Sequence, residues 1–267
     1  MSRHTPVMAV MVAAARKAAR GLQRDFGEVE NLQVSLKGPA NFVTAADKKA
    51  EKTIFEELNK ARPGYGFLME EGGAVEGSDK SHRWIIDPLD GTTNFLHSIP
   101  HFAISIGLER DGQMVAGVIY NPITDEMFIG EKGQGAFLND RRIRVAARRE
   151  LTQGIIACGT PHIGRPGHEV YLTELRSVMN ECAGVRRMGA AALDLAYIAA
   201  GRYDAYWEAN LQPWDMAAGI VIVREAGGFV SDLNGREDML GTGGIIAGND
   251  QLRNQLETLL KRARARG

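Results

Sequence analysis

Cysteine is nearly absent: Cys158 and Cys182 are the two thiols among 267 residues, and neither belongs to a CxxC pair. That excludes a disulfide scaffold and leads us to expect a reducing, cytoplasmic setting. Long apolar runs are missing too, since none approaches the ~20 residues of a membrane span. The nearest candidate, "VMAVMVAAA" (Val7–Ala15), has about the length of a signal-peptide core. It runs straight into Arg16 and Lys17 without a cleavage region, so it reads as the first helix. Charge of one sign is also lacking. With 32 basic and 33 acidic residues the net charge is −1, which offers no bulk field to nucleic acid or acidic lipid. The basic finish, "KRARARG" (Lys261–Gly267), reads as a solvated, frayed helix end. Glycines around Gly133–Gly135 and Gly241–Gly244 match neither GxGxxG nor a P-loop, and no GxSxG elbow or HExxH motif occurs. His97 and His101 have zinc-helix spacing, but Pro100 interrupts them.

What is present is a mixed α/β pattern without repeats. Helices are expected over Val7–Arg24 and after Thr44, where Ala46, Ala50, Ile54 and Leu58 recur and Pro63-Gly64 stops the run. Trp84–Ile86 reads as a buried strand. Ile104, Ile106 and Leu108, the Asp111-Gly112 turn, and Val115, Gly117 and Ile119 form a hairpin. Further strands are expected at Glu126–Ile129 and Ile143–Val145. Beyond Leu151 come a strand at Ile155–Cys158 and a helix with the stripe Tyr171, Leu175, Val178, Met179 and Cys182. A small-residue helix after Gly189, a strand Ala205–Glu208 and a helix from Trp214-Asp215 to Gly227-Gly228 follow. Strands Phe229–Leu233 and Gly244–Ala247 and a helix Asp250–Ala265 close the chain. The pattern implies a layered body with a lobe boundary near Ala146–Leu151, giving lobes of residues 1–147 and 148–267.

The chemistry concentrates in "DPLDGTTNF" (Asp87–Phe95). Two unit charges about 4 Å apart repel by roughly 4 kcal/mol at an effective dielectric near 20, so a pair of acids here must be offset. Pro88 bars an ordinary helix between Asp87 and Asp90, so a strand ends and Gly91-Thr92-Thr93 opens the next helix. Free N–H groups at that helix start attract anions. A divalent cation resolves both conflicts, because it neutralises the acids and bridges them to phosphate oxygens. Taken singly, each acid has a plainer reading: Asp90 as a helix cap, Asp87 as a turn residue, Glu70-Glu71 as a solvated pair. Asp215 could cap its helix, and Asp47 could complete a capping box in "TAAD".

The string "DPLDGTTNF" with the later "WDMAAG" (Trp214–Gly219) resembles the paired signature of the inositol monophosphatase family of magnesium-dependent, lithium-sensitive phosphatases. "FVTAAD", Glu70-Glu71, "GAAALDLAYIAAGRYDAYWE" (Gly189–Glu208) and "EAGG" match in order, across essentially the whole chain. The resemblance implies an α-β-α-β-α sandwich of the inositol monophosphatase and fructose-1,6-bisphosphatase kind, usually dimeric. It implies metal ligation by Glu70, Asp87, Asp90, Asp215 and the Leu89 carbonyl. Catalysis falls to Asp47 and Thr92 with Glu70, the attacking water being deprotonated by Thr92 and Asp47. Phosphate falls to the N–H groups of Gly91 and Thr92 beside Asp90, and substrate hydroxyls to Glu208 with Gly189, Ala190 and Ala191 and the neighbouring Asp215. Four carboxylates and a phosphate dianion total about minus six, so two or three Mg²⁺ are expected, with Mn²⁺ as a substitute. Met69 stands where a glycine commonly precedes the acid pair, and Lys37 could approach a peripheral metal.

The expectation is therefore a Mg²⁺-dependent phosphatase acting on a small phosphate ester, myo-inositol monophosphate first, as a cytoplasmic homodimer without membrane or nucleic-acid partners. Fructose 1,6-bisphosphate, histidinol phosphate and a 3′-phosphonucleotide are the rival substrates. A regulatory RNA- or protein-binding role is the rival of another class. A DxD phosphatase and a glycosidase fit the DxxD-Gly-Thr pattern less well.

Overall fold

The computed structural model describes residues 4–26, 28, 34–38 and 41–265, and only the backbone of residues 34–38 and 41–43. The side chain of Lys37 lies outside the described residues. Helix α1 (Pro6–Phe26) precedes a two-stranded hairpin, β1 (Val34–Gly38) with β2 (Asn41–Thr44), and helix α2 (Ala45–Ala61). Then come β3 (Tyr65–Met69), β4 (Gly73–Val75), β5 (Asp79–Asp90), the short helix α3 (Thr92–Leu96), β6 (Ala103–Arg110), β7 (Gln113–Asn121), β8 (Glu126–Glu131), β9 (Gly135–Leu138) and β10 (Arg141–Arg142). These strands build an eight-stranded sheet in the order β10-β9-β8-β7-β6-β5-β3-β4. Beyond a 3-10 turn at Leu151–Gln153 come β11 (Ile155–Cys158), α4 (His168–Met179), β12 (Gly184–Arg186), α5 (Ala191–Ala199), β13 (Ala205–Glu208) and α6 (Pro213–Glu225). β14 (Phe229–Ser231), α7 (Met239–Thr242), β15 (Ile245–Gly248) and α8 (Asp250–Arg264) finish the chain, and the second sheet runs β12-β11-β13-β15-β14.

Three apolar cores hold five layers together, the middle one reaching both faces of the α5–α6 layer. Helices α1 and α2 bury Met11, Leu22, Ile54 and Leu58 against Ile104, Ile106 and Leu108 of the large sheet. Helices α5 and α6 bury Leu195, Ile220 and Ile222 with Tyr206 and Ile245 of the second sheet. On its far side, Trp207 and Ile246 pack with Val178 of α4 and Leu252, Leu256 and Leu260 of α8. The result is an α-β-α-β-α sandwich. Both faces of the central strands are covered, so β6 is buried from Ala103 to Leu108 without the half-exposed alternation of a surface strand.

A row of glycines sets the spacing of the middle layer. Gly107, Gly117 and Gly130 stand opposite one another on β6, β7 and β8. A Cβ on Gly117 would lie 2.4 Å from the Ala218 carbonyl oxygen, one on Gly107 2.9 Å from Ala217 Cβ, and one on Gly130 2.9 Å from Ile222 Cα. Helix α6 thus sits directly on the sheet backbone, and this fixes the position of its N-terminal Asp215.

Three expected elements differ. Ile143–Val145 is not a strand: the chain turns at Gly133–Gly135 into β9, and β10 is the short return. Val145 leaves the ladder to donate to the Ala226 carbonyl at 3.1 Å. Helix α4 stops at Met179, which is 62% exposed, so Cys182 lies beyond it. Its buried face carries Glu174 beside Val178, and an acid is invisible to an apolar stripe. The basic end is not frayed through Arg264, whose guanidinium pairs with Glu174 at 2.5 Å. Among the described residues, no helix is long and apolar enough to cross a membrane.

Candidate active site

β3 and β5 run parallel, with Met69 opposite Ile86, and the Glu70 N–H donates to the Ile86 carbonyl at 3.2 Å. The ends of both strands therefore bring Glu70 beside Asp87. Against β6, Asp87 pairs with Ser105 and Asp90 with Ala103, so one extra residue bulges out of β5. Pro88 lies within that bulge, where its missing N–H costs no ladder bond. Asp87 Oδ1 closes the turn by accepting from the Leu89 N–H at 2.9 Å. Gly91 adopts φ +90°, a left-handed conformation that favours glycine, and caps the start of α3. Gly72, after the acid pair, packs on Met69, and the Glu71 N–H donates to Glu51 at 2.8 Å, tying this loop to α2.

The plainer readings of the acids prove compatible with a site. Asp47 does close the capping box of α2: its Oδ2 accepts from the Thr44 N–H at 2.9 Å and from the Thr44 hydroxyl. Its other oxygen, Oδ1, stands 3.2 Å from the Thr92 hydroxyl, which is also 3.0 Å from the Leu89 carbonyl. Asp90 caps not its own helix but another, since its Oδ2 accepts from the Ala192 N–H of α5 at 2.8 Å. Asp215 lies in the first turn of α6 and accepts from the Gln212 N–H at 2.8 Å. In each case capping uses one carboxylate oxygen and leaves the second available.

Electrostatically these acids form one group. Burial pushes Asp87 well above the usual carboxylate range, and the charges of Glu70, Asp90 and Asp215 push it further. Asp90 is raised in the same way by burial, Asp215, Glu208 and Glu70. Asp215 is pushed up to about 7 by burial, with Glu70 and Glu208 adding to it. Asp47 is raised by burial despite its bonds from Thr44. Among the described residues no group of three or more acidic, histidine or cysteine side chains closes into a ready-made metal cage. The donor set is oxygen throughout, which fits a hard divalent cation such as Mg²⁺.

Beside the acids opens a cleft of about 290 Å³, lined by Asp90, Gly91, Thr92, Gly189–Ala191, Glu208 and Asp215. A larger hollow of about 510 Å³, between the β6–β7 turn and α6–α7, contains none of these residues. Asn94 ties the two halves of the cleft together. Its side-chain amide donates to the His101 and Met188 carbonyls, each at 2.8 Å. Two cleft arginines went unrecognised in the sequence, Arg165 and Arg187. Arg165 donates to the Asn210 carbonyl, and Arg187 Nε donates to Thr160 Oγ1 at 3.0 Å. Arg165 stands in the loop between β11 and α4, beside Pro161 and His162 on the cleft wall. Nothing in its spacing marks it out.

Comparison with known proteins agrees with the geometry. The model of the inositol monophosphatase family matches residues 3–266. An inositol-1-monophosphatase of Mesorhizobium japonicum is 64% identical over 253 residues, 95% of each chain. The Nus factor SuhB of Escherichia coli K12 is 42% identical, over 96% of this chain and 99% of its own. The crystal structure of the extragenic suppressor protein suhB from Bartonella henselae superposes with a TM-score of 0.95 at 64% identity, covering 97% of this chain and 99% of that one. Fold, ordered motifs and full-length similarity lead to one conclusion: this chain belongs to the inositol monophosphatase family.

Proposed function

We propose that the protein hydrolyses the phosphate monoester of a small polyol, inositol monophosphate first, as a Mg²⁺-dependent phosphatase. The observation that carries this is the Asp47–Thr92–Leu89 contact set directly beside four mutually repelling acids at the mouth of a polar cleft. The Mesorhizobium relative, an inositol-1-monophosphatase by name, supports the substrate.

Glu70, Asp87, Asp90, Asp215 and the Leu89 carbonyl would hold two or three Mg²⁺, with Mn²⁺ as substitute. Bound there, the metal supplies charge neutralisation and a more acidic water. The chain's own groups do the rest. The Thr92 hydroxyl accepts a proton from the attacking water and passes its own to Asp47 Oδ1. Burial raises Asp47 and so makes its carboxylate a stronger base. Glu70, at the end of β3, helps hold that water. The N–H groups of Gly91 and Thr92, at the start of a helix and without intrahelical partners, receive phosphate oxygens. Glu208 and the segment Gly189–Ala191 receive the polyol hydroxyls. Expected companions of this reading are a homodimer, inhibition by Li⁺ and a cytoplasmic location, the last supported by two free thiols.

Purified protein should release phosphate from inositol 1-phosphate with Mg²⁺ and stop with EDTA. Undiminished release under chelation removes the metal mechanism. A panel with fructose 1,6-bisphosphate, histidinol phosphate and a 3′-phosphonucleotide, ranked by kcat/KM, decides the substrate. The name of the E. coli relative favours one further reading, a partner-binding role on the same fold. Retention of RNA or a protein complex by the Asp90→Asn variant would support it.

A further inference from the structure

β13 carries Tyr206 and Glu208 on one face and Trp207 on the other, by the alternation of any strand. Trp207 points into the outer core and donates its indole N–H to Glu174 at 3.1 Å. Tyr206 is fully buried in the middle layer, where its phenol must find an acceptor. It finds Glu208: the Tyr206 hydroxyl donates to Glu208 Oε2 at 2.5 Å, the short distance of a bond to a charged oxygen. From the other side the Glu208 carboxyl lies flat over Gly159. A Cβ at residue 159 would fall 1.7 Å from Glu208 Cδ and 2.0 Å from each carboxyl oxygen. Gly159 also donates its N–H to the Trp207 carbonyl at 3.3 Å, which holds it against β13.

We propose that Tyr206 and Gly159 are positioning residues that lock the Glu208 carboxylate at the cleft wall and so determine selectivity for esters whose leaving group carries hydroxyls. This rests on the phosphatase reading above and adds to it the device that aims one specificity-determining side chain. Tyr206 supplies a donor from beneath the cleft and touches no substrate. Gly159 supplies room. The neighbouring groups bear on the charge: Asp194, 1% exposed on α5, is pushed well above the usual range by burial and by the charges of Glu208 and Asp90. Arg187 and Arg165 offset part of the burial penalty of Glu208. Burial raises the Glu208 carboxyl, and the Tyr206 bond, acting with those arginines, favours the carboxylate form that accepts hydroxyl protons.

The test compares inositol 1-phosphate with p-nitrophenyl phosphate, whose leaving group offers no polyol hydroxyl, both with Mg²⁺. Tyr206→Phe keeps the ring and removes the donor. It should raise KM for inositol 1-phosphate about tenfold, the usual scale for losing a bond to a charged group, with a several-fold smaller loss on p-nitrophenyl phosphate. Gly159→Ala should shift selectivity the same way, because the new methyl displaces the carboxyl. In a Glu208→Gln background, adding Tyr206→Phe should leave the ratio of the two substrates unmoved, since the group it aims is gone. Equal losses on both esters, or a selectivity shift that persists without the Glu208 charge, overturns the proposal. Silence of the wild-type protein toward both esters overturns the phosphatase reading, and the proposal with it.

Discussion

Buried acids are treated in two opposite ways within this molecule. At the outer sheet and its loops each is compensated. Asp204, whose side chain is 0% exposed, pairs with Arg148 at 2.6 Å and accepts from the Ile155 N–H at 2.8 Å. Asp232 accepts from the N–H groups of Asn234 and Arg236 and from the Arg236 guanidinium at 2.9 Å. Burial works against its charge, yet those donors outweigh burial and hold its carboxyl below the usual range. At the cleft, Asp87, Asp90 and Asp215 face one another and Glu70, and all three are pushed up. The outer acids each pair with an arginine, whereas the cleft acids accept single backbone N–H groups and lie among one another's charges, with Arg165 opposing them at Asp215. The arginine pairs satisfy Asp204 and Asp232 within the fold, and the cleft set would gain from a cation bound from solution.

Altering the cleft should therefore change activity, and altering the outer sheet should change stability. The largest effect is expected for Asp90→Asn, with phosphate release falling about 10³-fold or more, the scale of losing a group that stabilises transition-state charge. The same variant should melt at a higher temperature than wild type without metal, because one of the repelling charges is gone. It should also gain less stability on adding Mg²⁺. A lower melting temperature without metal would break the comparison. Next is Thr92→Ala, which removes the relay to Asp47 and should cost about 10²-fold in kcat with an unchanged melting temperature; a rate near wild type would show that water reaches Asp47 unaided. Asp204→Asn should leave kcat alone and cost about 1–2 kcal/mol by urea unfolding, moderated because Arg148 is partly solvated.

The smallest effect is a pH signature at Asp232. Its folded pKa is depressed, so its contribution is full above the unfolded value of about 3.9 and fades as pH falls through the folded one. Asp232→Asn should cost about 1 kcal/mol near neutrality and nothing measurable once both forms are protonated, which makes the acid limb of stability against pH shallower. A variant that tracks wild type across the whole range would show that Asp232 is compensated no better than the cleft acids.

Much of the fold was legible because its elements have strong local signals. The fourfold spacing in α2, the Asp111-Gly112 hairpin turn and the Gly227-Gly228 stop of α6 each predicted an element that is present. The misses share a cause. Ile143–Val145 has strand composition, but after the turn at Asn139-Asp140 the strand ends at Arg142, and tertiary hydrogen bonding claimed Val145. Glu174 interrupts the apolar face of α4 because partners far along the chain, Trp207 and Arg264, satisfy it. In the site, the acids stood out by motif, whereas Arg165, Arg187, Asn94 and Tyr206 did not. The remote partners of Arg187, Arg165 and Asn94, which are Thr160, Asn210 and Met188, lie 27, 45 and 94 positions away, and the role of Tyr206 comes from what lies beneath one strand.

The sequence by itself determined the kinds of element, the acids at their ends and the family, since periodicity, turn chemistry and ordered motifs act over a few residues at a time. Only the tertiary structure decided which acids meet, which oxygen of each is taken by a cap and which is left for chemistry. Those outcomes depend on a parallel strand pair, a bulge at Pro88 and three aligned glycines that let α6 rest on the sheet. Distances of a few ångströms between remote segments are set by packing, and packing is a property of the whole chain.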